Sequence, residues 1–81
     1  MADEEIVKEI RNRNGNNTDF KGADLSGASL RGANLRDLDL SGVNLEGADL
    51  SGASFILAKL KLANLRRANL EGADLRSVNL E

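Results

Sequence analysis

The sequence predicts an all-β solenoid wound from five-residue units, and three observations predict it. A large apolar residue recurs at every fifth position: Phe20, Leu25, Leu30, Leu35, Leu40, Leu45, Leu50, Phe55, Leu60, Leu65, Leu70, Leu75 and Leu80. Two residues before each stands a small or apolar one, Ala at 23, 28, 33, 48, 53, 58, 63, 68 and 73, with Thr18, Leu38, Val43 and Val78 filling the same place. The third observation is composition. An 81-residue chain has little room for a conventional core, and this one has no Cys, His, Trp, Tyr or Pro and only two Phe. Stability must then come from stacked local repetition rather than from disulfides, metals or large aromatic contacts.

Period five has a mechanical meaning. Side chains on an extended chain alternate faces with period two. The Ala and Leu positions, two apart, therefore point the same way. The next Leu, five residues on, would point to the opposite face of a straight strand. Every Leu is internal only if the chain turns a corner once per repeat. The residue between Ala and Leu is Asp, Asn or Ser at every repeat except Lys59, and it points outward. The two residues after the Leu, such as Ser26-Gly27 or Arg31-Gly32, make the corner, where Gly reaches φ > 0 without strain. A helix over residues 18–80 is excluded by the same spacing, because period five drifts around a 3.6-residue helix and leaves no apolar stripe.

Ahead of the repeats, residues 3–13 read as a helix. Asp3 caps it, Glu4 and Glu5 suit its positive end, Arg11 and Arg13 suit the other, and NRNGNN with Gly15 ends it. Ile6, Val7 and Ile10 make one apolar stripe, suited to covering the first coil. The expected organisation is a helical cap and linker over residues 1–17 and a solenoid over residues 18–81. The last coil has no such cover in the sequence, so it is expected to be covered either by a second molecule, in a weak homodimer through Leu65, Leu70, Leu75 and Leu80, or by further sequence in a longer native chain.

The runs GADLSGASLRGANL and LEGADLSGASF resemble the pentapeptide-repeat family, whose pattern is A-(D/N)-L-X-X, over about four-fifths of the chain. The resemblance implies a right-handed, four-sided parallel β-helix with twenty residues per coil. It implies no enzymatic activity, cofactor or substrate. Some family members protect gyrase by mimicking DNA, which takes a long and strongly negative rod. A net charge of −2 does not extend the resemblance to that activity.

The charge balance also gives no basic stripe for nucleic acid. No apolar run approaches membrane-spanning length, and MADEEIVKEI has no secretory apolar region. A cytoplasmic, non-enzymatic protein with an unknown protein partner is expected. No catalytic, cofactor or metal residues are assigned. The Asp and Asn repeats point apart around a rod, whereas Ca²⁺ needs six to eight oxygens converging on one point. The glycines lack the Lys-Ser/Thr step and following helix of a phosphate loop. One segment breaks the outer pattern: FILAKLKLANLRR at residues 55–67. Ile56 stands at an outward position, Leu57, Leu62 and Arg67 replace corner Gly, and Lys59 replaces Asp or Asn. With Lys61 and Arg66, these residues form the candidate interaction patch, apolar with cationic flanks. Residues 58–77 carry five bases against two acids, whereas residues 38–57 sum to −3.

Overall fold

The computed structural model describes residues 1–13 and 17–81. From residue 17 the chain winds as a β-helix with a register of twenty. Parallel bridges join Asp19, Asp39, Lys59 and Asn79 on side 1, Asp24, Asn44 and Asn64 on side 2, Ser29, Asp49 and Asn69 on side 3, and Asn34, Ser54 and Asp74 on side 4. Four sides of five residues make one coil. Each side is extended over only three residues, so one bridge per side is all the ladder there is.

The bonding of the sides has a direction. The Leu-position N–H donates forward to the next coil: Leu25 to the Asn44 carbonyl at 2.8 Å, Leu30 to Asp49 at 2.9 Å, Phe55 to Asp74 at 2.8 Å. The outward residue points both of its backbone groups backward, so the Asn44 N–H donates to the Ala23 carbonyl at 3.0 Å. Each corner closes with an i+3→i bond, such as Ala28 N–H to Leu25 carbonyl at 3.1 Å. Its third residue lies at positive φ, as a type II turn requires. Gly fills that place seven times, and Asp37, Leu57, Leu62, Arg67 and Ser77 fill it otherwise.

The Ala and Leu positions of the middle coils are fully buried, Leu25 through Phe55 among them. Burial of each such Leu contributes about 2 kcal/mol. Two ends depart from this. Thr18 is exposed, although its place in the repeat is inward, because it opens the first coil and has no rung beneath it. At the other end Leu75 is 46% and Leu80 69% exposed.

The N-terminal segment forms α1 (Glu4–Arg11), shorter than the expected residues 3–13. Asp3 is its N-cap, accepting from the Glu5 N–H at 3.1 Å. The expected terminating role of Gly15 lies outside the described residues. Val7 and Ile10 are buried against the first coil and Ile6 partly so. That coil has a row of backward-pointing carbonyls, and α1 and its flanks occupy three of them. The Asp3 N–H donates to Asp24 at 2.8 Å, Arg11 to Ser29 at 3.0 Å and Arg13 to Asn34 at 3.0 Å. The two arginines thus bond the edge of the coil, a role additional to their place near the helix C-terminus.

Candidate protein-interaction surfaces

The outward Asp and Asn residues serve the corners. Their Oδ1 accepts the backbone N–H two residues on: Asp24 from Ser26 at 3.0 Å, Asn34 from Arg36 at 3.1 Å, Asn64 from Arg66 at 3.0 Å. The Ser26 and Ser51 hydroxyls add bonds of 2.7 Å to Asp24 and Asp49. These hydroxyls, followed by the backbone N–H groups, hold both carboxyls below their ordinary range. Ser41 does the same for Asp39 and Arg76 for Asp74. Among the described residues no cluster of three or more His, Cys, Asp or Glu side chains could hold a metal ion. No described helix is long and apolar enough to cross a membrane.

The segment at residues 55–67 wraps around the rod. Ile56 and Leu57 occupy the corner between sides 4 and 1, Lys59 lies on side 1, and Lys61 and Leu62 occupy the corner between sides 1 and 2. Arg66 and Arg67 turn away to the following corner. The structure therefore brings Leu57, Lys59 and Leu62 onto one side of the rod and leaves the two arginines on the next. Leu57 is 52% and Leu62 84% exposed, and both sit in left-handed backbone, at φ 64° and 61°. A bulky residue there is a conformational outlier. Lys59 has no carboxamide or carboxylate to turn back, so the corner after it lacks the bond that Asp39 gives Ser41. Arg66 stands twenty residues on from Glu46, but it is Arg67 that lies 3.8 Å from that carboxylate, in an exposed pair.

A second surface is the open end. Phe55, Leu60, Leu65, Leu70, Leu75, Val78 and Leu80 line an apolar recess of about 270 Å³. All four leucines expected there are present. Phe55 and Leu60 join them because the coil below shows through the last one, and Val78 joins them as the last coil's own inward residue beside Asn79. The N–H groups of Leu65, Leu70, Leu75 and Leu80 point out of this end and find no acceptor among the described residues.

A β-helix of twenty-residue coils, filled by Ala and Leu, cornered by Gly and braced by Asp and Asn, defines a class of repeat protein rather than an active site. The pentapeptide-repeat family model matches residues 16–52 and 44–81, and the chain belongs to that family. Its fold is the right-handed β-helix. The chain is similar to a pentapeptide repeat protein of the Arabidopsis thaliana thylakoid lumen, at 41% identity and a TM-score of 0.74, over 75% of this chain and 42% of that one. It is also similar to Rfr23 of the cyanobacterium Cyanothece 51142, at 38% identity and TM-score 0.43 over 78% and 40% of the two chains. A third is alr5209 of Nostoc PCC 7120, at 32% identity and TM-score 0.36 over 95% and 74%. The chain spans less than half the length of the first two. No curated protein matches it.

Proposed function

We propose that the protein is a small non-enzymatic module that binds another protein through the side of the rod carrying Leu57, Lys59 and Leu62. One observation carries this reading. Two exposed leucines occupy backbone that costs an L-residue about 1 kcal/mol or more, on corners where the same chain uses Gly seven times and otherwise the polar Asp37, Arg67 and Ser77. Fold stability gives no reason for either the strain or the exposure. Binding does, because strain and exposed apolar area concentrate where a partner docks. Lys59 and Lys61, with Arg66 and Arg67 beyond them, fit a partner whose apolar contact is rimmed by carboxylates. In the same reading α1 caps the first coil, replacing the preceding rung, and the protein works in the cytoplasm. DNA mimicry has no support in a surface whose third coil is basic.

The test is a pull-down with the wild-type chain and with a Leu57→Gly/Leu62→Gly variant as baits. Glycine suits both corners, so the variant should fold with equal or higher stability. The wild type should retain a specific protein that the variant loses. Equal retention by both baits would move the binding surface elsewhere.

A further inference from the structure

We propose that the side carrying Leu57, Lys59 and Leu62 docks on the same side of a second copy of this chain, with the two rods antiparallel and a two-fold axis passing between Asp39 and Lys59. This pairing rests on the reading of that side as a docking surface, and it names what covers it.

The outward column of side 1 is unlike the other three. Its bridges stack Asp19, Asp39, Lys59 and Asn79 over one another, two acids followed by a base. Side 2 carries Asp24, Asn44 and Asn64, side 3 Ser29, Asp49 and Asn69, and side 4 Asn34, Ser54 and Asp74. Each of those has one acid and no base, so none is complementary to itself in charge. Side 1 is. Asp39 and Lys59 stand on adjacent rungs, yet neither joins an ion pair among the described residues. The side also holds the surface its own leucines call for, a smooth area rimmed by carboxylates. One coil below Lys59 and Leu62, Asp39 lies between Asp37 and the corner at Gly42. An added Cβ at Gly42 or Gly22 would meet nothing within 4 Å, so that corner is bare.

Charge selects the register. A two-fold axis along the rods would set Lys59 against its own copy and Asp39 against its own copy, so the rods are antiparallel. An axis level with Asp39 or with Lys59 again sets like on like, and one between Asp19 and Asp39 opposes two acids. The axis between Asp39 and Lys59 sets Lys59 opposite the partner's Asp39 and Asp19 opposite the partner's Asn79. In an isologous contact each match occurs twice. The same axis keeps every corner against the same corner of the other rod. The coil climbs about 4.8 Å in twenty residues, which places Leu62 between the heights of the partner's Gly42 and the partner's Gly22, nearer the first. Leu57 meets Asp37 of the partner subunit, the least favourable contact of the set, although that carboxylate also lies beside the incoming Lys59.

The leucines supply the apolar contact, since Leu62 is 84% exposed in the single chain. With Cα extents of 28 × 27 × 21 Å, one side offers less than the ~800 Å² per partner of a standard interface. The pairing should therefore show at high protein concentration. Because opposite charges face each other, added salt should weaken it.

Sedimentation over a range of concentrations in low salt tests the pairing, and charge reversal tests its register. Lys59→Asp and Asp39→Lys should each sediment as a monomer, because each sets like charges together. An equal mixture of the two should associate again, because every mixed pair restores both opposite-charge contacts. Lys59 shows that this place in the repeat accepts lysine. Asp39→Asn keeps an acceptor for the Ser41 N–H and should also shift the chain toward monomer. Leu62→Gly should weaken association while the melting temperature holds or rises. The proposal fails if the wild type stays monomeric at high micromolar concentration in low salt. It fails equally if the single reversals associate like the wild type, if their mixture stays monomeric, or if association is indifferent to Leu62→Gly. A monomeric wild type whose bait still retains a different protein, lost in Leu57→Gly/Leu62→Gly, would overturn this pairing and leave the side as a docking surface. Equal retention by both baits would overturn that reading instead.

Discussion

Each five-residue unit has five backbone N–H groups, and residue identity decides where they go. The Ala N–H closes the corner. The outward residue donates backward, and the Leu and the third corner residue donate forward to the next coil. The fifth N–H, on the second corner residue, has no backbone partner, and the Asp or Asn side chain takes it. This is why a short acceptor recurs between Ala and Leu. Asp49→Ala should accordingly lower stability only modestly. Leu50→Asp, one residue away, should abolish folding, because a charge would enter a filled interior without a partner. Chemical denaturation of the two variants compares them directly, and similar midpoints would contradict the inward and outward assignment.

The same carboxylates predict a pH dependence. Asp24, Asp39, Asp49 and Asp74 all have folded values lowered from the ordinary 3.8, the first three chiefly by a serine hydroxyl and Asp74 by Arg76. The unfolded chain then takes up protons more readily than the folded one. The stabilisation is complete above the unfolded value and is lost as pH falls from 3.8 through the lowered folded values. Melting temperature should be level from neutral pH to about pH 5 and fall steeply below 3.8, with a shallower fall in Asp49→Asn. A melting temperature indifferent to acid would show that these bonds contribute nothing.

The corner is the element that decides this fold, and its cost is separable from packing. At Gly47, φ is 70° and an added Cβ would meet nothing within 4 Å. Gly47→Ala therefore isolates the conformational penalty, about 1 kcal/mol of lost stability. Leu62→Gly is the converse. The side chain is 84% exposed, so relief of left-handed strain outweighs lost packing, and stability should rise by up to about 1 kcal/mol. Urea midpoints measure both, and a shift of the same sign in the two variants would exclude strain as the cause. For α1, Ile10→Asp should lift the helix from the first coil, lower the melting temperature and promote association, while β signal in circular dichroism persists. A variant as stable and as monomeric as the wild type would show that α1 protects nothing.

Across the whole molecule, the inside was legible from the chain and the edges were not. Period five with Ala and Leu two apart dictates a corner per repeat and an inward face, as Leu25 through Phe55 show. The Leu65, Leu70, Leu75 and Leu80 end followed from the same count. Arg11 and Arg13 looked like partners of a helix terminus because their pairing with the Ser29 and Asn34 carbonyls depends on how α1 lies across the coil, which no local pattern encodes. Arg67 rather than Arg66 reaches Glu46 for a similar reason: side chains at a corner splay, and spacing alone does not say which of two neighbours turns back. Leu57 and Leu62 were visible as departures from Gly, but the strain they carry became evident only with their φ values.

The identical inner units and dissimilar outer ones make the rod tolerant of some length changes and not of others. Excising any single five-residue unit between Asp49 and Glu71 would leave every Ala and Leu facing inward, yet rotate all that follows by a quarter turn. Glu71 would then stand over Glu46 and Asp74 over Asp49, and Arg67 would lose its acid. Excising twenty residues would rotate nothing. The interior therefore counts in fives and the exterior in twenties, and the length of such a chain can change freely only in steps that satisfy both.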